Sequence, residues 1–225
     1  LAMLSKKLGV SDRHVRRIFE TQFGVSPMQY LQTRRLHTAK QLLADTSLPI
    51  TQVAWMSGYA SVRRFNAAFV EHYKLTPTQL RRKGVIANDG VDEPGKESGA
   101  TTVRLGYRPP YDVQAMLAFF GKRLITSIEL MDNSAREPSL ARTFRVESGD
   151  KVYSGWLKVK FDEARSQAIL TISDSLRDVL PLVIRRVRAT FDLDADPNAI
   201  NGVLHEDFPA GDGLRVPGAF DGYEL

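Results

Sequence analysis

The sequence predicts two domains of different class: an all-α domain, followed by an α+β domain with an antiparallel sheet and two helices. Three observations predict it. First, LGVSDRHVRRIFETQFGVSP (8–27) recurs fifty residues later as GYASVRRFNAAFVEHYKLTP (58–77), each with a serine, clustered arginines, an apolar stripe and a closing proline. Second, beyond residue 102 the apolar period changes from that of a helix, about 3.6, to that of a strand, about 2. Third, charge is divided between the halves. Residues 1–84 hold 14 Lys and Arg against 4 Asp and Glu, a net +10; the remainder hold 17 against 22, a net −5.

In the first copy Val15, Ile18, Phe19 and Gln22/Phe23 form one stripe at helical spacing. Ser11 suits the N-cap, where its hydroxyl can accept a free amide of the first turn. Gly24 suits the end, because glycine takes the left-handed conformation without penalty. The second copy repeats this with Ser61 as cap and Phe65, Ala68, Phe69 and Tyr73 as stripe. A short helix and a Gly turn precede each copy, LAMLSKKLG and ITQVAWMSG. Short helix, tight turn, second helix is a helix-turn-helix, so the front half reads as a double helix-turn-helix domain. MQYLQTRRLHTAKQLLADT joins the copies as one long helix with its stripe at Tyr30/Leu31, Leu36, Ala39 and Leu42/Leu43.

GVIANDGVDEPGKESGATT (84–102) is rich in Gly and acids and has neither apolar period. It predicts a flexible linker between domains at 1–83 and 103–213, with 214–225 opening a further domain. In the back half TVRLGYR alternates as a strand, PPYD turns, and Asp112 can cap the helix VQAMLAFFGKRLI. SIELMD, LARTFRVE, KVYSGWLKVKF and AILTIS follow as strands. Trp156, Lys158 and Lys160 oppose Leu157, Val159 and Phe161, the mark of a half-buried antiparallel strand. DVLPLVIRRVRATF predicts an amphipathic helix with Asp178 as cap and Pro181 tolerated in the first turn.

The polar face of the repeated helix carries the functional signal. Arg13, Arg16 and Arg17 stand at i, i+3 and i+4, which places three guanidiniums on one side. Arg63 and Asn66 take the equivalent places in the second copy, with Arg64 beside them. Arginine forks onto guanine edges and asparagine onto adenine edges. One such helix is as readily a solvated surface; two in the same phase point to base reading. Two units on one rigid helix can enter successive major grooves of double-stranded DNA as a monomer. Ser11, Arg34, Arg35, Ser61 and Arg64 are expected on or beside the DNA backbone.

On VSDRHVRRIFETQFGVSPMQYL, RRLHTAKQLL and ITQVAWMSGYASVRRFNAAFVEHYKLTPTQLRR, the front half resembles the AraC/XylS family of bacterial transcription regulators. The resemblance implies base-reading roles for Arg13, Arg16, Arg17, Arg63 and Asn66, a bacterial cytoplasmic location at the nucleoid, and RNA polymerase as a further partner. It also implies a first helix upstream of Leu1, and it departs from the family at Lys74, where glycine is usual. On LGYRPPYDVQAMLAFFGKRLITSIELMD, ATFDLDADPNAINGVL and GLRVPGAFDGYEL, the back half resembles the N-terminal domain of AlkA-type DNA-3-methyladenine glycosylase II. That family's helix-hairpin-helix and catalytic aspartate are expected beyond Leu225. Together the two resemblances imply an adaptive-response regulator, with a methyl-accepting cysteine domain before Leu1, joined to a glycosylase. The chain is then a sequence-specific regulator of the alkylation-damage response. Alternatively it is a fragment of a base-excision glycosylase whose front domain supplies DNA affinity.

No catalytic residue is assigned. Asp112, Asp162, Asp174 and Asp192 read as caps, turns or surface residues. The absence of cysteine excludes a disulfide, a cysteine zinc site and a thiol nucleophile within these residues. His14, His37, His72 and His205 have no metal spacing. Neither a cofactor nor a small-molecule ligand is expected, and no apolar run is long enough to span a membrane.

Overall fold

The computed structural model describes residues 2–46, 48–85, 100–132, 134 and 138–220. The chain divides into two compact units, Leu1–Ala44 with Leu48–Asp89, and Gly90–Leu225 with Asp45–Ser47.

The first unit is helical: α1 (Ala2–Leu8), α2 (Asp12–Phe23), α3 (Pro27–Asp45), α4 (Ile50–Met56), α5 (Val62–Tyr73) and α6 (Pro77–Val85). The caps are those the sequence predicts. Ser11 Oγ accepts from the His14 amide at 3.2 Å, and Ser61 Oγ accepts from the Arg64 amide at 3.3 Å. Gly24 closes α2 at φ 67°. The closing proline of each copy is the first residue of the next helix, behind a reciprocal cap. The Ser26 amide donates to Gln29 Oε1 (2.9 Å) and the Gln29 amide to Ser26 Oγ (3.3 Å). Thr76 and Gln79 repeat the exchange at 2.8 and 3.2 Å. Serine or threonine, proline, any residue, glutamine is thus a helix start written twice.

Lys74 takes the place of Gly24 in the second copy and adopts φ 57°. A side chain in this conformation brings its Cβ against the following carbonyl, a cost glycine avoids. Lys74→Gly is therefore expected to stabilise the first unit by about 0.5–1 kcal/mol. A urea midpoint that rises at unchanged slope checks it; a fall would show that the cost is relieved some other way.

The core of this unit is Leu36, Ala39, Leu42 and Leu43 of α3, Val53 and Ala54 of α4, and Phe65 and Phe69 of α5. Tyr59, Phe65, Phe69 and Tyr73 pack ring on ring at 5.4, 5.5 and 4.7 Å. The first copy departs from expectation. Val15 is buried, but Ile18 and Phe23 stay half exposed, as do Tyr30 and Leu31 of α3. Phe19, Phe23 and Tyr30 instead cluster at ring separations of 4.5–5.5 Å. Periodicity assigns residues to a stripe; the neighbouring helices decide how much of that stripe leaves water.

The second unit is an antiparallel sheet in the order β1-β5-β4-β3-β2, from β1 (Ala100–Gly106), β2 (Glu129–Asp132), β3 (Ser139–Ser148), β4 (Lys151–Asp162) and β5 (Gln167–Ser173). One sheet face is buried: Val103, Leu105, Leu140, Phe144, Leu157, Val159, Leu170 and Ile172. Trp156 lies on the other face, as the alternation requires. The helices are α7 (Val113–Gly121), α8 (Leu180–Thr190) and α9 (Pro197–Leu204). Phe191, just after α8, gathers Phe120 and Phe161 at 5.3 and 5.6 Å.

Asp112 caps α7 as expected, accepting from the Ala115 amide at 2.8 Å. Helix α7 stops four residues short of Ile125. Asp178 does not cap α8. It lies inside a 3-10 turn, Asp174–Val179, and the helix follows from Val179 with no side-chain cap. The turn passes directly into the helix, as the Leu180 amide already donates back to the Arg177 carbonyl. Helix α9 goes beyond the two helices expected. Its signal was the pair Asp196-Pro197, in which Asp196 accepts from the Asn198 and Ala199 amides.

Residues 214–220 lie on this unit. Arg215 Nη2 donates to the carbonyls of Arg108 and Pro110, each at 2.7 Å, and the Gly218 amide to Thr190 O at 2.9 Å. Of the linker expected over 84–102, residues 86–99 lie outside the described residues, as do 221–225 at the other end.

Candidate nucleic-acid interface

The capped helices α2 and α5 present the predicted arginines. Arg13, Arg16 and Arg17 are exposed, and with Ser11, His14 and Glu20 they line one groove along α2. Arg63, Arg64 and Asn66 are exposed on the first turns of α5. Among the described residues, Arg13, Arg16, Arg63 and Arg64 form no ion pair. Five guanidiniums on two helices, none of them in an ion pair with a carboxylate among the described residues, make a strongly basic surface. Arg17 has a neutral neighbour, since its Nη2 meets the His14 imidazole Nδ1 at 3.1 Å. His14 therefore belongs to this surface. Its signal was the i, i+3 spacing to Arg17, not any metal spacing.

The two serines are spent on their helix starts, and what they leave outward is the first-turn amides and the positive end of each helix dipole. Arg34, on α3, is exposed. Arg35 is half-buried; its Nε lies 2.9 Å from where a Cβ on Gly58 would stand, and its guanidinium is 6.0 Å from the Tyr59 ring centre. Burial raises the pKa of Tyr59, with the Arg35 charge acting against it to a smaller extent. Arg81 serves the frame of this unit. It donates to Leu48 O at 2.6 Å, and burial lowers its pKa.

Among the described residues, the second unit offers no comparable basic helix. In the run Arg185, Arg186, Arg188, Arg186 stacks 5.2 Å from the Phe144 ring centre and Arg188 pairs with Asp194 at 2.7 Å, so only Arg185 is a freely solvated guanidinium. Asp162 caps a 3-10 turn and pairs with Arg165, Asp174 pairs with Arg177, and Asp192 accepts from the Val216 amide. Among the described residues no group of three His, Asp or Glu could hold a metal, and no helix is long and apolar enough to cross a membrane.

Comparison with known proteins matches residues 102–221 to the AlkA N-terminal domain and residues 4–83 to a helix-turn-helix domain. A probable bifunctional transcriptional activator/DNA repair enzyme AlkA of Mycobacterium tuberculosis is 28% identical over 204 residues, covering 91% of this chain and 38% of that protein. DNA-3-methyladenine glycosylase 2 of Escherichia coli is 32% identical over 120 residues, 53% of this chain and 40% of that protein. The probable transcriptional regulator LumQ of Photobacterium leiognathi is 35% identical over 81 residues, 36% of this chain and 33% of that protein. The chain spans well under half the length of each of these relatives.

Proposed function

Because the chain belongs to the AlkA N-terminal domain family and joins that domain to a helix-turn-helix domain, we propose that it is a sequence-specific DNA-binding transcription regulator of the alkylation-damage response. The observation that carries this is the doubled helix: α2 and α5 share cap, phase and an exposed face of guanidiniums that have no acid partner among the described residues. Arg13, Arg16 and Arg17 read bases in one major groove, and Arg63 and Asn66 read them in the next, so one monomer spans both. Arg34, Arg64 and the helix starts at Ser11 and Ser61 meet the phosphate backbone. RNA polymerase is a further partner, and the protein works at the bacterial nucleoid.

A second reading is supported by the 32% identity to a glycosylase over 120 residues, together with the AlkA N-terminal domain at residues 102–221. In it, the whole protein excises alkylated bases and the front domain supplies DNA affinity. The two differ in selectivity: a regulator prefers its site over random duplex by orders of magnitude, whereas an affinity module does not.

Affinity for duplex DNA, measured against salt, tests the shared premise. Neutralised phosphates release counterions, so log affinity should fall linearly with log salt, by about 0.9 per phosphate contacted. A slope near zero overturns DNA binding through this surface.

A further inference from the structure

We infer that Arg35 is a positioning residue that locks the second helix-turn-helix unit onto α3, and so sets the spacing between the two reading helices, rather than a phosphate contact. The inference rests on the reading of α2 and α5 as base-reading helices. Arg34 and Arg35 are neighbours in sequence with opposite surroundings. Arg34 points to solvent, whereas Arg35 lies half-buried over the turn between α4 and α5. At Gly58 the backbone takes φ 83°, and a Cβ there would meet Arg35 Nε at 2.9 Å; glycine leaves the space the guanidinium fills. Amide bonds pin the turn itself, from Gly58 to Trp55 O (2.8 Å) and from Tyr59 to Ala54 O (3.0 Å).

From this turn the contact continues into the reading helix. The Tyr59 ring packs 5.4 Å from Phe65, and Phe65 is fully buried between Arg64 and Asn66 in sequence on α5. Arg35, Gly58, Tyr59 and Arg64 line a single groove. Among the described residues, the equivalent turn of the first copy has no such latch. Gly9 has φ 66°, the same backbone, yet nothing lies within 4 Å of its would-be Cβ. The repeat supplies the turn twice; Arg35 grips it once, on the unit that α3 must orient. A guanidinium over an aromatic ring and a bare backbone turn suits this task, because its planar fork loses little freedom when it packs.

The test uses the full 225-residue chain and duplexes it selects from a randomised pool, with two half-sites at the selected spacing, the same half-sites one base pair further apart, and the first half-site alone. Arg35→Ala is expected to weaken binding at the selected spacing about tenfold, the scale of coupling between contacting groups. The preference for that spacing over the longer one should shrink by a similar factor, while the salt slope and first-half-site binding stay unchanged. Arg35→Met, which keeps the stem without the charge, separates this from misfolding, and its circular dichroism melt should stay near wild type. In a Tyr59→Leu background the Arg35→Ala effect should largely vanish. Loss of the same factor from every duplex, with a salt slope smaller by about one, makes Arg35 a phosphate contact and overturns the inference; so does an Arg35→Met chain that folds and keeps its spacing preference. If the wild-type chain selects no site with two halves, it is the base-reading premise that fails instead.

Discussion

Glu129→Ala is expected to destabilise the second unit by about 3–5 kcal/mol, enough to lower its melting temperature by roughly 10–20 °C. Glu129 and Arg142 face each other across β2 and β3 with N–O separation 3.0 Å and side chains only 5% exposed. Each partner is also held from elsewhere. Glu129 Oε2 accepts from the Ile125 amide at 3.1 Å, and the Arg142 guanidinium stacks 4.0 Å from the Phe220 ring centre. Removing the carboxylate takes from a nearly dry guanidinium the acid that lies 3.0 Å from it. The cost is mainly that of a buried charge less well compensated and not of a lost surface attraction. Glu129→Leu combined with Arg142→Met should therefore recover much of the loss, since it takes the buried charge away as well. Thermal unfolding followed by Trp156 fluorescence in a Trp55→Phe background isolates this unit. A double variant as unstable as the worse single one would show that the pair attracts strongly in its own right.

Arg63→Ala is expected to lower discrimination between a selected DNA site and single-base-pair variants of it by about 1–3 kcal/mol at one position, with the salt slope preserved. Arg63 is the second residue of α5, exposed, and without an acid partner among the described residues. A helix that enters the major groove by its N-terminal end brings this position to the base edges. Arg64→Ala, one residue on, should weaken all duplexes evenly and lessen the salt slope by about one. The measurement is affinity for a selected duplex and its single-pair variants, at several salt concentrations. If Arg63→Ala weakens selected and random duplexes by the same factor, Arg63 is a backbone contact and the reading helix is misassigned.

Much of the frame was legible in the sequence because its signals are local. Ser11, Ser61 and Asp112 each cap the helix they precede, because a side-chain oxygen needs only an amide three residues ahead. The alternation of Trp156, Lys158 and Lys160 with Leu157 and Val159 sorts β4 into a wet and a buried face for the same reason. Asp178 misled because an acid before a helix is a sufficient cap only when the chain enters from an extended conformation, and here it enters from a 3-10 turn.

The sequence by itself determined the repeat, the helix starts, the strand alternation and which arginines share a face, since each depends on residues within one or two turns of one another. The tertiary structure alone decided that Arg35 lies on Gly58, that Glu129 meets Arg142, that Arg186 and Arg188 are occupied by Phe144 and Asp194, and that Ile18 and Phe23 stay half wet while Phe65 and Phe69 do not. Those outcomes depend on strand register and on which helix lies over which. Register and packing emerge from the sum of many weak contacts between residues distant in the chain, and no single stretch of sequence carries that sum.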